Sequence, residues 1–251
     1  MRDGAGTTYQ RIGVGYGGHR REEPAWQRAI TAALGTATTV VNVCAGAGSY
    51  EPRDRTVVAV EPSTVMLAQR AEGAAPAVRA VAEALPFADR AFDAALAILT
   101  VHHWTDPDAG FAELQRVAPR QVVVTWDPEV VATSFWFTRD YLPEALEREV
   151  GLPTVREIAA GLGTRSAVSV LEVPHDCRDG FFAAYWRRPQ AYLDPDVRGA
   201  ISAFALLDQR LVTRAVDQLA RDLDDGTWAA RYADLAAHES LDLGYRLVVA
   251  G

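Results

Sequence analysis

Apolar residues along this chain fall into short unbroken runs separated by segments of helical period. Val40-Val41-Asn42-Val43 and Val57-Val58-Ala59-Val60 are apolar at almost every position, and most of those residues are β-branched. A strand with one face in water alternates apolar and polar positions. An unbroken run therefore predicts a strand buried on both faces, as in a parallel sheet covered by helices. Runs at 77–80, around Ala94 and Ala95, at 121–126, at 168–173 and at 245–250 predict five more strands. Between them, 24–34 reads as a helix with Pro24 in its first turn and Gly35 as its stop, 64–70 as a helix capped by Ser63, and 108–117 as another. The alternation predicts an α/β fold: a seven-stranded, mostly parallel sheet flanked by helices. A chain of 251 residues accommodates this as a single domain.

The first two runs carry the most chemistry. Val40-Val41-Asn42-Val43 leads directly into Cys44-Ala45-Gly46-Ala47-Gly48-Ser49-Tyr50, and the second run ends on Glu61-Pro62. Glycines just past a strand let backbone approach a ligand closely. A carboxylate at the end of the next strand can accept both hydroxyls of a ribose. In an open α/β sheet, ligands lie beyond the carboxyl ends of the strands, so the pattern predicts a nucleoside-type cofactor site. A dinucleotide site requires a third glycine three residues after Gly48, where this chain has Glu51, which disfavours NAD.

The segment resembles motif I of the class I S-adenosylmethionine-dependent methyltransferases, in their small-molecule, methyltransferase-domain-11-like type. Further motifs follow in the family's order. Glu61-Pro62-Ser63-Thr64-Val65-Met66 is similar to its post-motif and Ala82-Glu83-Ala84-Leu85-Pro86-Phe87 to its adenine-side motif. Phe92-Asp93-Ala94-Ala95 with Leu99-Thr100-Val101-His102-His103-Trp104 is similar to its fourth strand and the loop after it. The resemblance implies a Rossmann-like sheet whose last two strands pair antiparallel at one edge. It implies S-adenosylmethionine as cofactor and S-adenosylhomocysteine as product. The implied cofactor contacts are Cys44, Ala45, Gly46, Gly48, Glu61, Pro62, Met66, Ala82, Glu83 and Ala97. A lead-in over residues 1–23, with Tyr9, Tyr16, Arg20 and Arg21, would fold over the cofactor as a lid. The cofactor-binding core would span 24–127.

Three positions depart from the family pattern: Asn42 stands where an acid is usual, Cys44 where the first glycine is usual, and Val81 where an Asp often meets the adenine amino group. Cys44 would either keep a negative φ or shift the cofactor, and Glu83 or a backbone group would replace the acid at adenine. Only about a dozen residues separate Val43 from Val57, short for a crossover. The first helix would then be cut to about a turn, leaving a charged side chain to hold the methionine carboxylate.

Composition narrows the function further. No lysine occurs anywhere, which removes P-loop, Schiff-base and kinase chemistries together. The net charge is −8 and no basic stripe is interleaved with aromatics, so a nucleic acid partner is not expected. No apolar run approaches the ~20 residues of a membrane span, and the opening Met1-Arg2-Asp3-Gly4 lacks a secretory core, so a cytoplasmic monomer or homodimer is expected. Cys44 and Cys177 lack metal-ligand spacing and are expected as free thiols, with no metal bound.

Helical excursions at 130–163 and 178–239 lie outside the minimal fold and start at strand carboxyl ends, the expected place for a cap over an acceptor pocket. Their aromatic residues suggest an aromatic or large apolar small-molecule acceptor, with Trp104, Trp126, Trp136, Tyr141 and Trp186 as candidate contacts. His102, His103 and His175 should face one rim and are candidate general bases, with Asp127 or Asp176 as partner. The Asn/Asp-Pro-Pro-Tyr/Phe motif of many amino-group methylations is absent, so an O or C acceptor on a natural-product-like molecule is expected. Two alternatives remain open: bound S-adenosylmethionine serving a non-methylating reaction such as cyclisation, and a non-catalytic cofactor-binding regulatory module.

Overall fold

The computed structural model describes residues 21–147 and 151–251. Helix α1 (Pro24–Leu34) starts where the Glu23 carboxylate accepts the Ala25 N–H at 3.0 Å and stops at Gly35, whose φ of +58° suits a residue without Cβ. Strands β1 (Thr39–Val43) and β2 (Thr56–Val60) pair in parallel, with Val41 opposite Val58. Helix α2 (Thr64–Leu67) is capped by Ser63, whose Oγ accepts the Met66 N–H at 3.3 Å, but it ends short of the expected Arg70. Strand β3 (Ala77–Val78) is likewise shorter than 77–80. Strand β4 (Ala94–Ile98), helix α3 (Pro107–Val117) and strand β5 (Arg120–Trp126) follow.

The sheet order is β3-β2-β1-β4-β5-β9-β6, where β6 is Ala167–Val170 and β9 is Tyr245–Ala250. Strand β9 runs antiparallel to both neighbours, with Val122 opposite Val249 and Val168 opposite Val248. The seven-stranded, mostly parallel Rossmann-like sheet is thus present. The sixth strand ends at Val170 rather than 173, because Val173 joins a separate ribbon in which β7 (Val173–Pro174) pairs with β8 (Ser240–Leu241).

The expected one-turn crossover helix between β1 and β2 does not form; residues 44–55 make only turns. Four of them, Cys44, Gly46, Gly48 and Tyr50, have φ between +54° and +99°, values incompatible with a right-handed helix.

Each face of the sheet has its own core. Val40, Leu96, Val122 and Val124 meet Trp26, Ile30 and Leu34 of α1 and merge with the cap. Val41, Val43, Ala95, Ala97, Val123 and Val248 meet Phe111, Leu114 and Val117 of α3. The expected 130–163 excursion divides between these faces. Helices α4 (Pro128–Ser134), α5 (Trp136–Asp140) and α6 (Glu144–Glu147) belong to the cap, whereas α7 (Val155–Gly161) buries Ile158 in the α3 core. The cap continues through α8 (Pro195–Gly199), α9 (Ser202–Leu206), α10 (Gln209–Asp224) and α11 (Thr227–Arg231). Its centre is aromatic: Phe137 stacks on Tyr192 with centroids 4.7 Å apart, and Phe182 meets Phe204 edge-on at 5.4 Å. Burying each such ring contributes on the order of 2 kcal/mol, so these rings account for much of what holds the cap together. Among the described residues, no helix is long and apolar enough to cross a membrane.

Candidate functional site

The loop at the carboxyl ends of β1 and β2 is built around Glu61. Its two oxygens accept the N–H groups of Gly46 and Ser63, both at 2.8 Å, so the carboxylate fixes the glycine loop to the start of α2. Burial raises the proton affinity of Glu61, and the two N–H donors and the Arg70 charge work against that rise. Each oxygen keeps lone-pair capacity for a further donor, as a ribose diol requires. The loop is shaped by Ala45 N–H donating to Val60 O and Gly48 N–H donating to Ala45 O, both at 2.9 Å. Gly46 has φ +55°, and a Cβ there would come within 3.3 Å of Met66 Cε. Gly46, Glu61 and Met66 therefore meet at this loop, with Pro62 next to Glu61 in the chain. Cys44 does not keep a negative φ: it sits at +54°, against Thr100 and Trp104. Burial, with the Glu61 charge adding to it, pushes the thiol up to about 12, so it stays protonated. Cys44 and Cys177 are both free thiols.

Sequence reasoning missed the support beneath this loop. Glu51, at the place of a third glycine, makes a buried ion pair with Arg70 at 2.8 Å and accepts Asn42 Nδ2–H at 3.3 Å. The acid absent at position 42 is thus supplied from position 51. The only sequence signal for it was the coincidence of a lost acid and an unexpected one nine residues apart. Tyr50 was missed too. Its hydroxyl donates to Asp179 Oδ2 at 2.9 Å and accepts the Glu23 N–H at 3.0 Å, connecting the loop to α1 and the cap.

On the adenine side, Glu83 is committed elsewhere. Its Oε1 accepts the Thr105 N–H and hydroxyl at 2.7 and 2.8 Å and the Asp106 N–H at 3.2 Å, which ties it to the turn before α3. Ala82 is buried beside that turn, and Ala97 is buried within β4 on the α3 face. Ile98 and Leu99, half-buried at the strand end, come next; Leu99 has φ +50°, unusual for a residue with a Cβ. Tyr9, Tyr16 and Arg20 lie outside the described residues, and Arg21 begins them.

His102 and His103 form the 3₁₀ turn Val101–His103 after β4, with rings 3.7 Å apart. His102 also packs on Trp126, centroid to centroid 4.1 Å. Burial holds both imidazoles below their ordinary range, His103 at about 4 and His102 further lowered by its neighbour, so both are neutral at pH 7. The His102 Nδ1 is buried without a hydrogen-bond partner. His175 is placed elsewhere, at the β7–β8 ribbon, where its Nδ1 lies 3.2 Å from Glu239 O. Asp127 caps α4 by accepting the Glu129 and Val130 N–H groups rather than partnering a histidine.

Of the aromatic candidates, Trp126 alone is half-exposed, at the end of β5 beside His102. Trp104 is buried under α3, where a Cβ on Gly110 would come within 2.3 Å of its ring. Trp136 and Trp186 are buried, and their indole N–H groups donate to Trp186 O at 2.7 Å and Val173 O at 3.0 Å. Tyr141 donates to the buried Asp222 at 2.7 Å. Trp136, Trp186 and Tyr141 build the interior of the cap, where each polar ring atom finds a partner, whereas Trp104 packs in the α3 core with its Nε1 buried and without a hydrogen-bond partner. Among the described residues, no group of three or more His, Cys, Asp or Glu side chains could hold a metal ion.

The family model of the methyltransferase domain matches residues 40–123. No curated protein matches the chain. Among solved structures, the chain is 30% identical to one from Anabaena variabilis assigned as a methyltransferase of an antibiotic biosynthesis pathway, with TM-score 0.83 over 89% of this chain and 96% of that one. It shares its fold with the [4+2]-cyclase SpnF (16% identity, TM-score 0.55, 100% of this chain and 96% of that one). It also shares its fold with the geranyl diphosphate C-methyltransferase of Streptomyces coelicolor bound to S-adenosyl-L-homocysteine (15%, TM-score 0.50, 90% and 75%). The glycine loop, the buried Glu61 carboxylate and similarity to a methyltransferase over 89% of the chain coincide, and the chain belongs to the class I S-adenosylmethionine-dependent methyltransferases.

Proposed function

We propose that the enzyme methylates an oxygen or carbon atom of a small, largely apolar natural-product-like molecule that enters beneath the cap. The observation that carries this reading is the pair of neutral imidazoles, His102 and His103, packed against each other after β4, with His102 also packed on Trp126 at the end of β5. Under this reading, Glu61 binds the ribose, and the Cys44–Gly48 loop receives the amino-acid end of the cofactor. Cofactor, when bound, supplies an electrophilic methyl group on sulfur. The protein aligns the acceptor atom with it and removes a proton. A neutral histidine can accept that proton, and Trp126 offers a flat apolar surface for the acceptor. The similarity to an antibiotic-pathway protein along nearly the whole chain, cap included, supports an acceptor of that class.

The test is S-adenosylhomocysteine release in the presence of a panel of phenolic and polyketide acceptors, with His102→Gln and His103→Gln variants assayed across pH. A hydroxyl acceptor predicts a loss on the order of 100-fold or more in one histidine variant, as for a removed general base. Turnover of an acceptor without S-adenosylhomocysteine release would favour the non-methylating reading instead.

A further inference from the structure

The loop that receives the cofactor lacks the helix that would ordinarily brace it, since residues 44–55 form turns alone. A charged pair occupies that space. Arg70, just past α2, donates through Nη1 to Gly46 O at 3.3 Å and through Nη2 to Ala75 O at 2.9 Å. Both Glu51 oxygens also accept Arg70 Nη2, at 2.8 and 2.9 Å. Glu51 accepts the Asn42 amide as well, so the pair joins β1, the glycine loop and the segment before β3.

Gly48 belongs to the same arrangement. A Cβ there would lie 3.2 Å from Arg70 Nη1 and 3.3 Å from Glu51 Oε2, so the absent side chain makes room for the ion pair under the loop. The two side chains are only 7% and 10% exposed. Burying both charges costs about as much as their attraction returns, so stability alone does not account for such a pair. Holding a loop of left-handed residues in one conformation does.

We propose that Glu51 and Arg70 are positioning residues for methyl transfer: they replace the missing crossover helix and hold the Cys44–Gly48 loop in the shape that receives the amino-acid end of S-adenosylmethionine. The inference rests on the cofactor placement proposed above. Neither side chain needs to touch the cofactor, because Arg70 acts through the Gly46 carbonyl and Glu51 acts through Arg70.

Two ligands separate this role from general stabilisation. S-adenosylhomocysteine carries both nucleoside and amino-acid ends, whereas 5′-methylthioadenosine carries the nucleoside end alone. Calorimetric affinities would be measured for both on wild-type protein and on Glu51→Gln, Arg70→Lys and Glu61→Ala, at a temperature where melting curves show each variant folded. Glu51→Gln and Arg70→Lys should weaken S-adenosylhomocysteine by about tenfold or more and methylthioadenosine by less than about threefold. Equal losses for both ligands, or an unchanged S-adenosylhomocysteine affinity, would overturn the proposal. Glu61→Ala should weaken both ligands; if both keep their affinity, the cofactor placement itself has failed. Should Glu51→Gln not fold, Arg70→Lys decides the matter, with amide exchange at 46–48 as a second readout. Faster exchange there than in wild type supports the role, and unchanged exchange refutes it.

Discussion

The Tyr50 hydroxyl donates to the buried Asp179 carboxylate at 2.9 Å across 129 residues of sequence. Tyr50 lies two residues beyond the last glycine of the loop after β1, and Asp179 begins the segment that leads into the cap. The same hydroxyl accepts the Glu23 N–H, and the Glu23 carboxylate accepts the Arg178 N–H at 3.0 Å. The glycine loop, the first helix and the cap therefore share one hydrogen-bonded junction.

Replacing Tyr50 with Phe removes a donor to Asp179 and an acceptor for the Glu23 amide, both in buried surroundings. Leaving such groups short of partners costs about 1–3 kcal/mol. Urea denaturation of Tyr50→Phe should show a loss in that range at unchanged slope. An effect below about 0.5 kcal/mol would mean that the junction is not energetically coupled.

Glu61→Ala removes the carboxylate proposed to accept the ribose diol. Hydrogen bonds to a charged group contribute about 1.5–3 kcal/mol each, so S-adenosylmethionine affinity should fall by about tenfold or more in calorimetry. A change smaller than about 1 kcal/mol would contradict the placement of the ribose.

Glu83→Ala should separate stability from binding. Its carboxylate accepts three hydrogen bonds from the turn before α3, and losing them should cost about 1–2 kcal/mol in denaturation. S-adenosylhomocysteine affinity should stay within about twofold of wild type, a difference worth under half a kcal/mol. A large fall in affinity at unchanged stability would return Glu83 to the adenine site.

The buried histidines give stability a definite pH dependence. His103 has a folded pKa near 4, depressed by burial from 6.5. Between those values the unfolded chain holds a proton that the folded chain does not, so stability is full above pH 6.5 and is lost as pH falls toward 4. Melting temperatures from pH 7.5 to 4.5 should fall less steeply for His103→Gln than for wild type. Parallel curves would show that the imidazole titrates freely in the fold.

Gly110→Ala tests the packing of Trp104 under α3. The new methyl would lie 2.3 Å from the indole ring, and a buried ring cannot swing aside as a flexible side chain can. Overpacking of this kind costs about 1–3 kcal/mol, visible in denaturation.

Much of the sheet was readable because its signals are local. The unbroken runs at Val40–Val43 and Val57–Val60 announced buried parallel strands, and Pro24 and Gly35 set the bounds of α1 by backbone preference. The glycine turn and Glu61 could be placed for the same reason: their chemistry depends on neighbours a few residues away along two adjacent strands. The aromatic cap was readable as a concentration of rings, but its sequence did not say which rings face a ligand.

Sequence by itself determined the order of the main strands and helices, the glycine turn after β1 and the family, since hydrophobic period, turn residues and motif spacing are properties of contiguous segments. Tertiary structure decided the rest. It paired Glu51 with Arg70 across 19 residues and Tyr50 with Asp179 across 129, drew Glu83 to the turn before α3, turned Trp104, Trp136, Tyr141 and Trp186 inward, and sent His175 to a separate ribbon. For the buried pairs and rings the physical reason is common. A buried polar group or ring must find its partner among whatever the packed chain brings near it, and that choice has no period or motif in the sequence.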